Sequence, residues 1–547
     1  MSDTILKTKL GRITTLTDST CYQSDPLSVY QLLCHQQENN ILLESAEIDK
    51  KHLLKSLLLT DAAVKIVCNG NSVVFSALSV NGETAIQLAA EQLSKHAEIS
   101  FSNENKSFQA TFPIVPSDLD EKARLSAVNS LQSLRSFNQL IQDTSHPFAV
   151  FLGGVFAFDL IAIAEDLPSV KAQGNTCPDF VYYLAETLVV IDHELETTEI
   201  IGNVFTHDHI NPGIDSQLEI QTRLNEIKRL LSRVINEKDV TAFRAVQEDS
   251  NKNKSLNDTV DIDISDENFC DIVEQLKENI RAGDIFQVVP SRTFSLPCSD
   301  PIAAYKALKL SNPSPYMFYL KDSDFCIFGA SPESAIKYQA SNRHVEIYPI
   351  AGTRPRGFDK QGNISLDLDS RIELELRQDK KESAEHIMLV DLARNDIARV
   401  SQSGTRYVAD LLKVDRYSHV MHLVSRVCGT LQEDLDALHA YQACMNMGTL
   451  SGAPKVKATS LIREVEGKRR GSYGGAVGYL TGRGEMDTCI VIRSAFVKNN
   501  IAQVQAGAGV VYDSDPMSEA NETRQKAQAV INAITNANTA TKEQAYD

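Results

Sequence analysis

The chain has 547 residues, a net charge of −18, and ten cysteines that occur singly, with no CxxC pair. That length is too great for one core, so two large substructures are expected, and the acidic balance argues against a general nucleic-acid or anionic-membrane binder. Isolated cysteines in so large a chain fit reduced cytosolic thiols better than a disulfide framework or a zinc site.

The first residues, MSDTILKTKLG, lack the apolar centre of a secretory signal. The most apolar run, residues 148–158, is too short to span a bilayer and is followed by Asp159, so a cytoplasmic protein without membrane association is expected. Residues 1–205 carry a mixed α/β pattern: strands at 63–68 (AVKIVC) and 72–76 (SVVFS) alternate with helices such as 84–95. The segment Leu42-Leu43-Glu44-Ser45 marks an apolar run turning polar, with Lys55 ten residues further on. Between 216 and 236, Leu218, Ile220, Leu224, Ile227, Leu230, Leu231 and Val234 recur at helical spacing. Residues 246–262 are polar and rich in Asn, Asp, Ser and Lys, the composition of a linker between an N-terminal α/β region (1–245) and a second region (263–547).

Beyond Ser265 a helix at 267–282 ends at Gly283, and DIFQVVPS (284–291) has the pattern of a buried strand. NPSPYMFYL (312–320), FGASPES (328–334) and YPIAGTRPRG (348–357) alternate strands with Pro/Gly turns. A long helix is expected at 380–400, a strand at 419–429, a loop opening a helix at 447–458, and strands at 471–480 and 487–497. Strands joined by short turns, with few βαβ spacings, predict an α+β fold of antiparallel sheets covered by helices.

The closing stretch, 505–529 (QAGAGVVYDSDPMSEANETRQKAQA), joins a strand ending in Gly507-Ala508-Gly509 to a helix with Ser518 as its expected N-cap. Bare backbone at two glycines lets N–H groups approach an anion, and Glu519 and Glu522 share one helical face. Glu382 and Glu385 repeat that ExxE spacing on the 380–400 helix. Two such pairs suit a hard divalent cation; surface carboxylates on solvated helices are the alternative. Arg493 follows the apolar run 490–492, where a guanidinium needs an anion, from substrate or from an internal ion pair. His422 shares a strand face with Val420 and Val424, as a core residue or as a proton carrier.

Seven motifs in order, PIAGTRPRG, KESAEHIMLVDLARND, HVMHLVS, MGTLSGAPKVKA, GSYGGAVGYL, IVIRSAFV and QAGAGVVYDSDPMSEANETRQKA, resemble those of the chorismate-utilising enzymes, and among them the large (component I) subunits of anthranilate synthases. They cover residues 265–535, about half the chain, and LLES and NPSPYM extend the likeness to the N-terminal half. The resemblance implies two packed, mainly antiparallel β-sheets with helices outside and an active site opening between the sheets. It implies Mg²⁺ held by Glu385 and Glu522, with Glu382 and Glu519 reaching it through water. Gly352 and Thr353 would line the chorismate pocket, Tyr473 and Arg493 would bind the pyruvyl carboxylate, and the backbone of Gly507, Ala508 and Gly509 would face the ring carboxylate.

His422 is then the expected acid/base at the C4 hydroxyl, with Thr449 beside it and Glu333 as a further proton carrier. Gln287 stands where water-using relatives carry a lysine base, and Ala351 stands where aminodeoxychorismate synthases carry a lysine. Both departures imply ammonia as nucleophile and anthranilate as product. The implied reaction adds ammonia to C2 of chorismate and then eliminates pyruvate. It is the first committed step of tryptophan biosynthesis, fed by a separate glutamine amidotransferase subunit in a heterotetramer with two of each chain. LLES and NPSPYM imply a tryptophan feedback site built from Glu44, Ser45, Lys55, Pro315, Tyr316, Met317, Val477, Gly478 and Tyr479.

Overall fold

The computed structural model describes residues 12–45, 54–137, 141–142, 146–171, 173–207, 213–236, 238, 260–417 and 420–544. Two long strands, Lys55–Asn69 and Phe180–Asp192, organise it. They run antiparallel, with Lys55 opposite Asp192 and Cys68 opposite Phe180, and their register slips between Leu59 and Val64. Such bulges bend a strand, and here each strand enters two sheets. On one side of the slip the pairing continues through Phe151–Phe156, Ala476–Thr481, Met486–Ile490, Ser334–Gln339, His344–Ile347 and Val420–Thr430. On the other side it continues through Asn40–Glu44, Tyr316–Lys321, Cys326–Ser331, Ser494–Lys498, Ile501–Gly507 and Ser291–Pro297. The two sheets are thus wings of one hydrogen-bonded network, and every pairing named here is antiparallel.

Ile41, Leu59, Phe151, Val155, Tyr183, Phe318, Val477 and Phe496 fill the space between the wings. Helices Val80–Leu93, Lys380–Ala398 and Ala437–Cys444 cover one outer face, and Pro26–Cys34, Gly213–Leu230, Pro301–Ser311 and Pro516–Gln544 cover the other. Strands covered on both faces lose polar alternation, which is why their sequences are nearly continuous apolar runs. The regions 1–245 and 263–547 do not form separate bodies: Val477 lies opposite Val155, and Met317 opposite Glu44. Most of the expected linker, 246–259, lies outside the described residues, while Asp261–Ile262 pairs with the strand at 291–297. Among the described residues no helix is long and apolar enough to cross a membrane, and all ten cysteines are free.

Several local expectations change. The run 284–291 is two pieces, Gln287–Val288 bridging to Gly452–Ala453, and Ser291 starting a different strand. The strand expected at 471–480 begins only at Ala476. The strand expected at 487–497 breaks after Ile490 and resumes at Ser494, because the chain crosses there from one sheet to the other. The helix expected at 216–236 spans Gly213–Leu230. Asp515, not Ser518, caps the final helix: its Oδ1 accepts from Ser518 N (2.9 Å) and Ser518 Oγ (2.7 Å), and Pro516 takes the first helical position, where its missing N–H costs nothing.

Candidate active site

Two helix beginnings converge on the strand end Gly507 and the residues that follow. Asp379 caps the Lys380–Ala398 helix, accepting from Lys381 N and Glu382 N at 3.0 and 3.1 Å, and so sets Glu382 and Glu385 on its first two turns. The Asp515 cap does the same for Glu519 and Glu522 on the facing helix. Burial, with Glu382 and Glu522 close by, pushes the Glu385 carboxyl up to about 7. Burial also raises Glu519, helped by Glu522. The carboxylates are therefore withdrawn from water and near enough to repel one another. Gln287 donates from Nε2 to Glu385 Oε1 at 3.2 Å, while its own Oε1 is buried without a donor. Gly509 lies against this pair: a Cβ there would come within 3.0 Å of Gln287 Nε2 and 3.2 Å of Glu385 Oε1.

The basic groups sort themselves once partners are visible. Arg354 is held by Glu382 and Asp379, Arg356 by Asp369, and Lys455 by Asp396. Glu382 is thereby committed to Arg354 on one oxygen. Arg493 differs. Its backbone sits in the left-handed region (φ 49°) at the sheet crossing, a costly conformation for a non-glycine residue. Its Nη1 donates to the Lys526 carbonyl at 3.2 Å, and among the described residues no carboxylate lies within ion-pair distance of it. Burial lowers its pKa, against the pull of Tyr473 and Glu522. Tyr473, in the turn before the 476–481 strand, directs its hydroxyl at Gly507, where a Cβ would approach it to 3.1 Å. Burial pushes this phenol up to about 12.

The residues expected to carry protons stand nearby. The strand Ile350–Pro355 bulges at Gly352 (φ 80°) against Val420–Thr430, which brings Thr353 Oγ1 to 2.8 Å from His422 Nδ1. Burial and the Arg493 charge push His422 down to about 4, so it is neutral at pH 7. Thr449 donates from Oγ1 to Glu333 Oε1 at 2.9 Å. Burial pushes the Glu333 carboxyl up to about 8, so it carries a proton at pH 7. Of the two, Glu333 therefore holds a proton at pH 7 and His422 offers a free ring nitrogen.

One residue absent from the sequence expectations stands inside the cluster. Lys526 binds Glu522 Oε1 at 2.6 Å and the Gly507 carbonyl at 3.0 Å. Its signal is the i,i+4 spacing to Glu522, which on a helix ordinarily marks a solvated pair.

The residues expected to bind tryptophan come from strands of both wings. Leu43, Tyr316, Val477 and Tyr479 pack toward the core between the wings, where Tyr479 stacks on Phe151 at 5.3 Å. Glu44 turns the other way, accepting from Tyr305 Oη at 2.6 Å and from Lys309, and Met317 shares that outer side. The Glu44 carboxylate is therefore not free to meet a ligand between the sheets. Ser45 is half-buried just past the strand end and Pro315 is buried; Lys55 pairs with Asp192 at 3.2 Å.

A model of the chorismate binding enzyme family matches residues 86–532. Anthranilate synthase component 1 of Vibrio cholerae is 56% identical over 514 residues, covering 94% of each chain. The protein of the same name from Escherichia coli is 52% identical over 533 residues, covering 97% of this chain and 99% of its own. Among solved structures, anthranilate synthase component I from Streptococcus pneumoniae superposes with a TM-score of 0.63 at 28% identity, over 89% of this chain and 93% of that one. The isochorismate synthase MenF of Escherichia coli, at 16% identity and a TM-score of 0.61 over 96% of both chains, shares the fold.

Proposed function

The chain belongs to the chorismate-binding enzyme family, and from that premise we propose that it is the large, chorismate-converting component of an anthranilate synthase. It turns chorismate and ammonia into anthranilate and pyruvate, the entry to tryptophan biosynthesis. The observation that carries this reading is the pairing of opposites around one point: Arg493, a guanidinium with no carboxylate partner among the described residues, near Glu522, and Glu385, whose carboxyl burial and the neighbouring Glu382 and Glu522 push up to about 7. Such a cluster suits a dianion and a cation together. Arg493 and Tyr473 take the pyruvyl carboxylate, and the backbone of Gly507, Ala508 and Gly509 faces the ring carboxylate.

The all-oxygen donor set fits Mg²⁺. Glu385 and Glu522 would hold it, with Glu382 and Glu519 reaching it through water, and when bound it supplies charge neutralisation at the ring carboxylate. Glu333, protonated and anchored by Thr449, donates to the C4 hydroxyl as ammonia attacks C2, giving an aminodeoxyisochorismate. Neutral His422, oriented by Thr353, is placed to move a proton as pyruvate is eliminated and the ring aromatises. Gln287 cannot deprotonate water, and no lysine replaces Ala351, so ammonia is the nucleophile and the amine stays on an aromatic product.

A glutamine amidotransferase component supplies the ammonia, in an assembly with two of each chain; alone, the chain uses free ammonia at high pH. Tryptophan bound at Glu44 (through its backbone), Ser45, Lys55, Pro315, Tyr316, Met317, Val477 and Tyr479 shifts the packing between the wings and weakens chorismate binding. The test is purified chain with chorismate, Mg²⁺ and ammonium, followed by anthranilate fluorescence. Fluorescence appearing only after addition of a lyase would refute the assignment.

A further inference from the structure

His386 follows Glu385 directly and is fully buried. Its Nε2 lies 2.7 Å from Ser425 Oγ. Ser425 occupies the place where the 420–430 strand changes its partners on both sides: the ladder to Tyr407–Arg416 slips between Asp410 and Lys413, and on the other side the partner changes between Val424, opposite Ile350, and Val427, opposite Ile347, with Ser425 N donating to the Pro349 carbonyl at 3.1 Å. Leu412, stranded in the first slip with φ 54°, donates its N–H to Ser425 Oγ at 3.0 Å. On the other side of the ring, His386 Nδ1 is buried and turned to the Ala351 carbonyl without a full hydrogen bond.

The proton positions follow from counting. If Nε2 carried the ring proton, Ser425 Oγ would accept twice and its own proton would be buried without an acceptor. The Nδ1 lone pair would then face the Ala351 oxygen. If Nδ1 carries the proton, every group finds a complement: Leu412 N–H to Ser425, Ser425 O–H to His386 Nε2, and His386 Nδ1–H toward Ala351. This polar chain links three strands and the helix and ends one residue before Gly352. A Cβ at Gly352 would come within 3.2 Å of Glu382 Oε2, so the helix and the bulge are already at closest approach.

We propose that His386, as the neutral Nδ1–H tautomer, is a positioning residue that fixes the Glu382/Glu385 helix against the Gly352–Thr353 bulge, and through it sets Glu385 relative to His422. It touches neither substrate nor cation. The inference rests on the proposed site but not on the identity of the substrate.

Selective ¹⁵N labelling of the twelve histidines, with His386→Gln to assign the signal, reads the tautomer in metal-free protein at pH 7. An Nδ1–H signature is expected; an Nε2–H ring or an imidazolium overturns the proposal. His386→Gln keeps an acceptor for Ser425 and loses the Nδ1–H. Its Mg²⁺ dissociation constant by calorimetry and its chorismate KM should each rise about tenfold, with kcat falling less than KM rises. Ser425→Ala should move both in the same direction. A lowered melting temperature with unchanged Mg²⁺ affinity and KM at 25 °C would make the contact mere packing and overturn the proposal. If wild-type protein failed to turn over chorismate, the functional assignment would fall while tautomer and Mg²⁺ affinity still decided this one.

Discussion

Replacing Glu333 by Gln separates the two proton carriers. In the wild type Glu333 is pushed up to about 8 and His422 down to about 4. At pH 7 the first is therefore ~90% protonated and the second ~0.1%. If Glu333 donates to the leaving C4 hydroxyl, kcat/KM referred to free NH₃ stays level through neutrality and declines above about pH 8. Were His422 the donor, the decline would start near pH 4. Glu333→Gln keeps the shape and the Thr449 contact but has no proton to give, so turnover should drop by about 10² to 10⁴.

Stability supplies an independent reading of the same shift. The folded chain holds a proton on Glu333 that the unfolded chain releases above the ordinary carboxyl range. Wild-type stability is therefore eroded as pH rises between the ordinary value near 4.5 and about 8. Gln carries no such penalty, so Glu333→Gln should gain on wild type across that window by on the order of a few kcal/mol, seen in denaturant melts at pH 5 and pH 8. Full activity in the variant, or a wild-type profile falling from pH 4, would refute the assignment of Glu333 as the acid.

Other substitutions probe the rest of the cluster. Glu522→Gln should abolish Mg²⁺-dependent turnover and weaken Mg²⁺ binding in calorimetry by at least tenfold while leaving the melting temperature near wild type, since Glu522 is half-exposed and its partner Lys526 keeps the Gly507 carbonyl. Gly509→Ala inserts a methyl 3.0 Å from Gln287 Nε2 and 3.2 Å from Glu385 Oε1. It should displace that pair and cost at least tenfold in kcat/KM with a small loss in melting temperature. Ser45→Phe should remove inhibition by tryptophan while leaving the uninhibited chorismate KM within about twofold, as measured by initial rates with and without tryptophan; intact inhibition would move the feedback site elsewhere.

Much of the fold is legible along the chain, and the exceptions share a cause. The helices at 266–282 and 380–398 show in their caps and periodicity, because the hydrogen bonds that end a helix are local. Runs 284–291 and 487–497 appeared as single strands because an apolar run has the same composition whether it stays in one sheet or crosses to another. The crossing at Arg493 needs a left-handed residue that nothing in its neighbours announces. Glu385, Glu522 and the two glycines were legible as pairs with helical or turn spacing. Their crowding was not, since it arises when two helices meet. The Thr449–Glu333 contact joins residues 116 apart in sequence, and only the packed fold reveals that Glu333 keeps its proton. LLES marks a strand end without fixing which face the Glu44 carboxylate takes; the register with Met317 decides that, and it leaves the backbone of Glu44 and Ser45 as the part of this segment that can meet a ligand between the wings.

The most direct test of the central claim is the fate of nitrogen. Chorismate, Mg²⁺ and ¹⁵N-ammonium incubated with the purified chain should give equimolar pyruvate and anthranilate, with ¹⁵N on the ring, in wild type and not in Glu522→Gln. A hydroxylated product without ¹⁵N, or an amino product that retains the pyruvyl ether, would contradict it.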